Sequence, residues 1–452
     1  MAATASASPE LILGEDAVRR VAPRRERALR VLPSLLVSVI AVIQIGLSLS
    51  AFAALTRQQT YGTDFSAFYV GAVLLRDGQG AHLYDATSQV QVRQQIGGNY
   101  WAGPLPFVYP PSAAIVVMPL TTLPLGAADR IWSLIQLGLV AAAAVVVGRK
   151  APWPHPSRRD LPAGTGWGGG IGRSAVAASV LAAIAGIGTA IMLLEGQPTG
   201  ILALGLALAY VAWTSGHNGL AALSISVAFF ALKPHLAIGL VIYMLALHNR
   251  RALLGLASGA MAVVALSLAV AGPAGVIGFL TAPGLSSQVS ALQTMLGFTG
   301  LAGSQFGPGA LTDIVAGLLS LAAVAGCWFA GRHARRHPTS IEVPLAVAAV
   351  LSLLLAPHLL VHDLVILAPV VVWCLAAAAR SDVRRTSWWP GAAGLVVLSL
   401  WLALGWAARG PQPEAMPRRL VPYLLIAAVV ILAAAAYRQR DPRLERTSAA
   451  AR

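Results

Sequence analysis

A small set of side chains could do chemistry. Asp64 stands just past the first apolar run, residues 31–55, and opens a helical pattern from Phe65 to Leu75. A carboxylate there can take a proton from a hydroxyl as general base. It is also well placed to cap the helix that follows. Glu195, in LLEGQPTG, either closes a tight turn together with Gln197 or belongs to a site. Lys233, in ALKPH, is a lone cation in an apolar turn. Such a cation suits a phosphate, or it snorkels to the membrane surface. His358 and His362 are four apart, share a helix face and adjoin Asp363. A catalytic metal site takes three protein ligands, and no third His or Cys has matching spacing. The pair therefore reads as a phosphate or hydroxyl contact, and no metal or other cofactor is expected. Arg76 shares the polar interval with Asp64 and stays open between substrate contact and packing; Tyr109, in the same interval, reads as packing first and is carried as a substrate-contact candidate.

The elements that must position these groups are apolar helices. Of 452 residues 57% are apolar and 11% charged, with a mean hydropathy of +0.72. That composition belongs to an all-α polytopic membrane protein. At roughly 20 apolar residues per crossing, about twelve spans are expected: near 31–55, 128–148, 174–194, 198–214, 218–232, 235–247, 252–271, 310–330, 342–356, 358–379, 390–408 and 420–437. The run 112–123 is shorter and bounded by prolines, so a re-entrant piece is expected there, its backbone covered by protein.

The net charge of +15 raises nucleic acid as a partner. The basic residues instead sit in short loops, where they set topology. With the N-terminus cytoplasmic, 24 of the 32 Lys and Arg fall inside. That arrangement places both termini in the cytoplasm of a multi-pass plasma-membrane protein, with residues 56–127 outside. The expected organisation is a basic tail over 1–30, a membrane domain over 31–437 and a second tail over 438–452. Two external loops, 56–127 and 272–309, break the membrane domain. Residues 152–172 are Pro- and Gly-rich; no strand precedes their glycines, so they read as a linker rather than a nucleotide-binding loop. Cys327 and Cys374 lie in apolar spans, and no disulfide is expected.

The order of motifs then matters. Asp64 is followed by FSAFYVGAVLLRDGQGAHLYD, FVYPPSAAIVVMPLTTLP, EGQPTG, LKPH and SLLLAPHLLVHDL. From Leu32 to Val372 this resembles glycosyltransferase family 87, whose members have the GT-C fold and transfer mannose from polyprenyl-phosphate-mannose. The resemblance implies Asp64 as general base, with Lys233 and a histidine, His358 or His362, facing the donor phosphate. It implies a lipid-linked sugar donor, a glycolipid or lipoglycan acceptor and a site on the external face of the bilayer. Inversion at a beta-linked donor would give an alpha-mannoside. Two other readings remain: a GT-C transferase of another sugar such as arabinose, and a transporter or flippase of lipid-linked material. A transporter predicts ionisable groups at the bilayer midplane and an internal repeat; the sequence presents neither.

Overall fold

A computed structural model describes residues 12–97, 105–153, 168–281, 292–338, 340–381, 391–407 and 419–438. Their regular elements are all helical, with no strand among the described residues. In chain order the α-helices are α1 (Ile12–Ala53), α2 (Arg57–Tyr61), α3 (Asp64–Arg76), α4 (Ala86–Gly97), α5 (Pro111–Val117), α6 (Leu125–Lys150), α7 (Gly168–Ile184), α8 (Ile187–Glu195) and α9 (Thr199–Thr214). They continue as α10 (Asn218–Leu232), α11 (Ile238–Ala246), α12 (Arg250–Thr281), α13 (Phe298–Phe306), α14 (Ala310–Arg336), α15 (Glu342–Leu355), α16 (Ala368–Ser381), α17 (Gly391–Ala407) and α18 (Val421–Arg438). Short 3₁₀ turns at Pro234–Ala237 and Val361–Leu367 lead into α11 and α16.

The all-helical expectation holds, but the count of twelve spans is not confirmed. Among the described residues five helices are long and apolar enough to cross a membrane, or six if the bent pair α7–α8 is one span. Elsewhere the expected spans are apolar helices of 10–17 residues. At 1.5 Å per residue these reach at most about 25 Å, short of the ~30 Å hydrocarbon core. The reason lies in their surroundings. Every residue of α15 from Glu342 to Leu354 is buried, so protein rather than lipid covers that helix, and bilayer thickness does not fix its length.

The polar interval contains the expected helix as α3, with α2 and α4 around it. The run 112–123 is a short apolar helix from Pro111 to Thr122, tied to the end of α10 by Ser112 Oγ donating to the Ala231 carbonyl at 2.8 Å. Part of the stretch expected as a second external loop, 272–309, is helical. Helix α12 continues past a break at Gly272 (φ 64°) to Thr281, because Pro273 is pre-set for the first position of a new helical stretch. Residues 154–167 of the linker and 439–452 of the C-terminal tail lie outside the described residues. The basic N-terminal stretch is helical from Ile12 and runs unbroken into the first apolar helix.

One joint bears on the site. Helices α7 and α8 meet at 45°. Gly186 makes the joint: a Cβ there would come within 2.2 Å of the Trp401 ring. The Trp401 indole fills that notch, and its N–H donates to the Ala182 carbonyl at 3.0 Å, one of the groups a helix end leaves without an internal partner.

Candidate active site

The site is built where the start of α3, the end of α8, the end of α10 and the 356–367 segment meet. Each terminus has a local cause. Helix α8 stops at Gly196, which is left-handed (φ 63°) and donates its N–H to the Met192 carbonyl, a conformation glycine adopts without penalty. Helix α10 stops at Lys233 (φ −141°, ψ 74°), because Pro234 excludes the helical region for the residue before it. Ser352 then locks the following turn. Its hydroxyl accepts from Gly239 N–H at 2.9 Å and donates to the Leu236 carbonyl at 2.7 Å.

Asp64 is the first residue of α3, not its cap. Thr63 holds the cap position and makes no side-chain cap bond. The half-buried Asp64 carboxylate instead accepts a hydrogen bond on Oδ2 from the Gln197 amide. The Glu195 carboxyl lies within electrostatic reach of Asp64. Gln197 Nε2 also lies 3.4 Å from the Tyr109 hydroxyl, and Tyr109 packs on Phe68 with ring centroids 4.1 Å apart. Burial raises the Asp64 pKa above its ordinary value; the Gln197 hydrogen bond and the Lys233 charge pull it down, and the Asp363 charge raises it.

Lys233 is buried rather than snorkelling. Its ammonium donates to Asp363 Oδ1 at 2.7 Å and to His362 Nε2 at 3.0 Å, which makes that nitrogen an acceptor and puts the His362 ring proton on Nδ1. An ammonium has three N–H donors, so one remains for a ligand. The second Asp363 oxygen accepts the Leu360 N–H at 3.1 Å. Thr199 donates to the His362 carbonyl at 3.3 Å, binding this segment to the EGQPTG turn. His362 is buried and His358 half-buried, and burial lowers the His358 pKa.

The structure thus brings together Asp64, Glu195, Tyr109, Lys233 and His362, with His358 beside them. Arg76 is not among them. It lies at the other end of α3, ~18 Å along the axis at 1.5 Å per residue, donating to Asp77 at 2.9 Å and to the Thr121 carbonyl at 3.0 Å. Three members escaped the sequence reading. Gln197 and Asp363 enter the sequence only as neighbours of other candidates. His235, half-buried, lies within electrostatic reach of Lys233, Asp363 and His358; its signal was a second cationic-capable residue in the apolar LKPH turn. Beneath the Gly196 turn Asp129 is buried, with no hydrogen-bond partner for either oxygen among the described residues. A Cβ on Gly196 would come within 2.5 Å of Phe65 Cβ and 2.7 Å of Asp129 Oδ1. Gly196→Ala is therefore expected to destabilise the protein by about 1–3 kcal/mol, the usual cost of overpacking, read as a lower thermal midpoint of the detergent-solubilised chain.

These features define a helical membrane protein with a cluster of ionisable side chains where several helix ends converge. The chain belongs to glycosyltransferase family 87: the family model matches residues 107–357, just over half of the sequence. The match contains Tyr109, Glu195, Gln197 and Lys233, ends one residue before His358, and does not extend to Asp64. The chain is also 44% identical over 79 residues to the polyprenol-phosphate-mannose-dependent alpha-(1-2)-phosphatidylinositol pentamannoside mannosyltransferase of Mycolicibacterium smegmatis. That likeness covers 18% of this chain and 16% of the relative. No solved structure matches the chain.

Proposed function

We propose that this glycosyltransferase moves a mannosyl unit from polyprenyl-phosphate-mannose to a hydroxyl of an envelope glycolipid or lipoglycan, with inversion. The observation that carries the reading is a half-buried carboxylate, Asp64, within electrostatic reach of a buried cation, Lys233, that is held by Asp363. Asp64 takes the proton of the acceptor hydroxyl as its oxygen forms a bond to C1 of the sugar. The C1–O bond to phosphorus breaks, and its electron pair leaves with the polyprenyl phosphate. The remaining Lys233 N–H and the half-buried His358 face the departing phosphate. Fixed donors aimed at developing charge are worth most in a site shielded from water. The relative's name supports the donor, and the family supports sugar transfer. The test is transfer of radiolabelled mannose from polyprenyl-phosphate-mannose to a panel of lipid acceptors by membranes holding the protein. Failure with every acceptor, the protein being folded, would overturn the reading.

The distribution of basic residues supports a site on the external face of the plasma membrane, with both termini cytoplasmic. A reporter inserted near Gln95 should read external, and one fused after Arg440 cytoplasmic. A C-terminal reporter on the external side would place the site at the wrong surface for this donor.

A further inference from the structure

Glu195 and Gln197 flank Gly196 and face the same residue. Glu195 lies within electrostatic reach of Asp64, while Gln197 donates to its carboxylate. The left-handed Gly196 turns the two side chains toward one partner. Gln197 is fully buried, and the backbone N–H of Gln197 is fixed to the Met192 carbonyl at 3.1 Å. Its amide can face Asp64 in only one sense: reversed, it would set a carbonyl oxygen against a carboxylate, acceptor against acceptor. The same Nε2 lies 3.4 Å from the Tyr109 hydroxyl, so the amide spans the carboxylate and the aromatic wall of the site.

From this geometry we infer that Gln197 is a positioning residue for the reaction. Its amide engages Oδ2 of Asp64, fixes the side-chain rotamer and leaves Oδ1 to receive the acceptor proton. A glutamine serves here because it donates to a carboxylate while carrying no charge of its own. A glutamate of the same size would force two acids to share a proton. The inference rests on Asp64 being the base.

The experiment uses the full-length protein in detergent or membranes, with Gln197→Ala, Gln197→Glu and Asp64→Asn assayed in parallel. A lost hydrogen bond to a charged group corresponds to about 10- to 100-fold. Gln197→Ala should therefore lower kcat by that factor and leave the KM for polyprenyl-phosphate-mannose near its wild-type value. Gln197→Glu should move the acid limb of the pH–rate profile upward, because a second carboxyl sharing the site makes the first harder to ionise. The other groups facing Asp64 are unchanged in that variant: Glu195 from α8, Tyr109 from the 105–110 segment, Lys233 at the end of α10 and Asp363 from the 361–367 turn. A wild-type kcat in Gln197→Ala, or a loss confined to KM, overturns the inference. If Gln197→Ala does not fold, the near-isosteric Gln197→Glu decides, and an unmoved acid limb overturns it. An active Asp64→Asn would instead sink the base assignment. An inactive Asp64→Asn beside normal Gln197 variants would sink only the role of Gln197.

Discussion

Asp64→Asn is expected to slow sugar transfer by at least about 100-fold, within the ~10²–10⁴ typical of general-base catalysis, while the protein folds and binds its donor as before. Asparagine keeps the size of the side chain and can still accept from Gln197, yet it cannot take a proton. Helix capping does not compete as an explanation, because Thr63 occupies the cap and the Asp64 carboxylate is turned to Gln197. Asp64→Glu should also be poor, since one methylene shifts the carboxylate by roughly 1 Å and such misplacement can cost ~100-fold. The pH dependence has a definite sign. A base works ionised, so the rate falls as pH drops through its pKa, and burial sets that pKa above the ordinary ~3.9 of an aspartate. A raised folded-state pKa also means that ionised Asp64 costs stability above that pKa. The asparagine variant should therefore melt no lower than wild type at neutral pH. Near-normal turnover in Asp64→Asn would remove Asp64 from the mechanism and make Asp363 the next carboxylate to test.

Lys233→Ala should be damaging for two reasons, and they can be separated. It strips the buried Asp363 of its counter-charge, and breaking such a pair costs about 3–5 kcal/mol. It also removes the cation from the site, a lost contact worth about 1.5–3 kcal/mol, or on the order of 10- to 100-fold in donor use. Replacing both partners, as Lys233→Met with Asp363→Leu, should restore much of the stability, because apolar pairs of similar volume often substitute for buried ion pairs without loss. Transfer should stay low. Thermal unfolding and donor kinetics on the single and double variants make the comparison. A double variant with wild-type kinetics would leave Lys233 a purely structural residue. Lys233→Arg, which keeps the charge, should retain part of the activity.

Some of this was legible in the sequence because its causes are local. The helix after Asp64 follows from its apolar pattern, and Pro234 ends α10 at Lys233. What stayed hidden depends on contacts across long chain separations. Gln197 meets Asp64 from 133 residues away, and Lys233 meets Asp363 from 130. Nothing in the spacing of either pair announces it. Arg76 looked like a site residue because it shares a loop with Asp64, but a straight helix carries it to the far end. The count of twelve spans is not confirmed, because hydropathy does not distinguish a helix bathed in lipid from one, like α15, wrapped in protein. His358 and His362 looked equivalent on one face; their surroundings separate them, one buried against Lys233 and the other half-buried.

The Trp401 joint makes the C-terminal helices part of the machinery rather than an appendage. Residues past 357 lie beyond the family match, and α17 would look like a dispensable extension. Yet its indole sits in the notch at Gly186 and satisfies the Ala182 carbonyl. The helix resting on that joint, α8, ends in Glu195, two residues from Gln197. A chain truncated before Gly391 would lose the wedge that sets the angle of α8. The damage would surface at Asp64, on a different helix and more than 300 residues earlier in the chain.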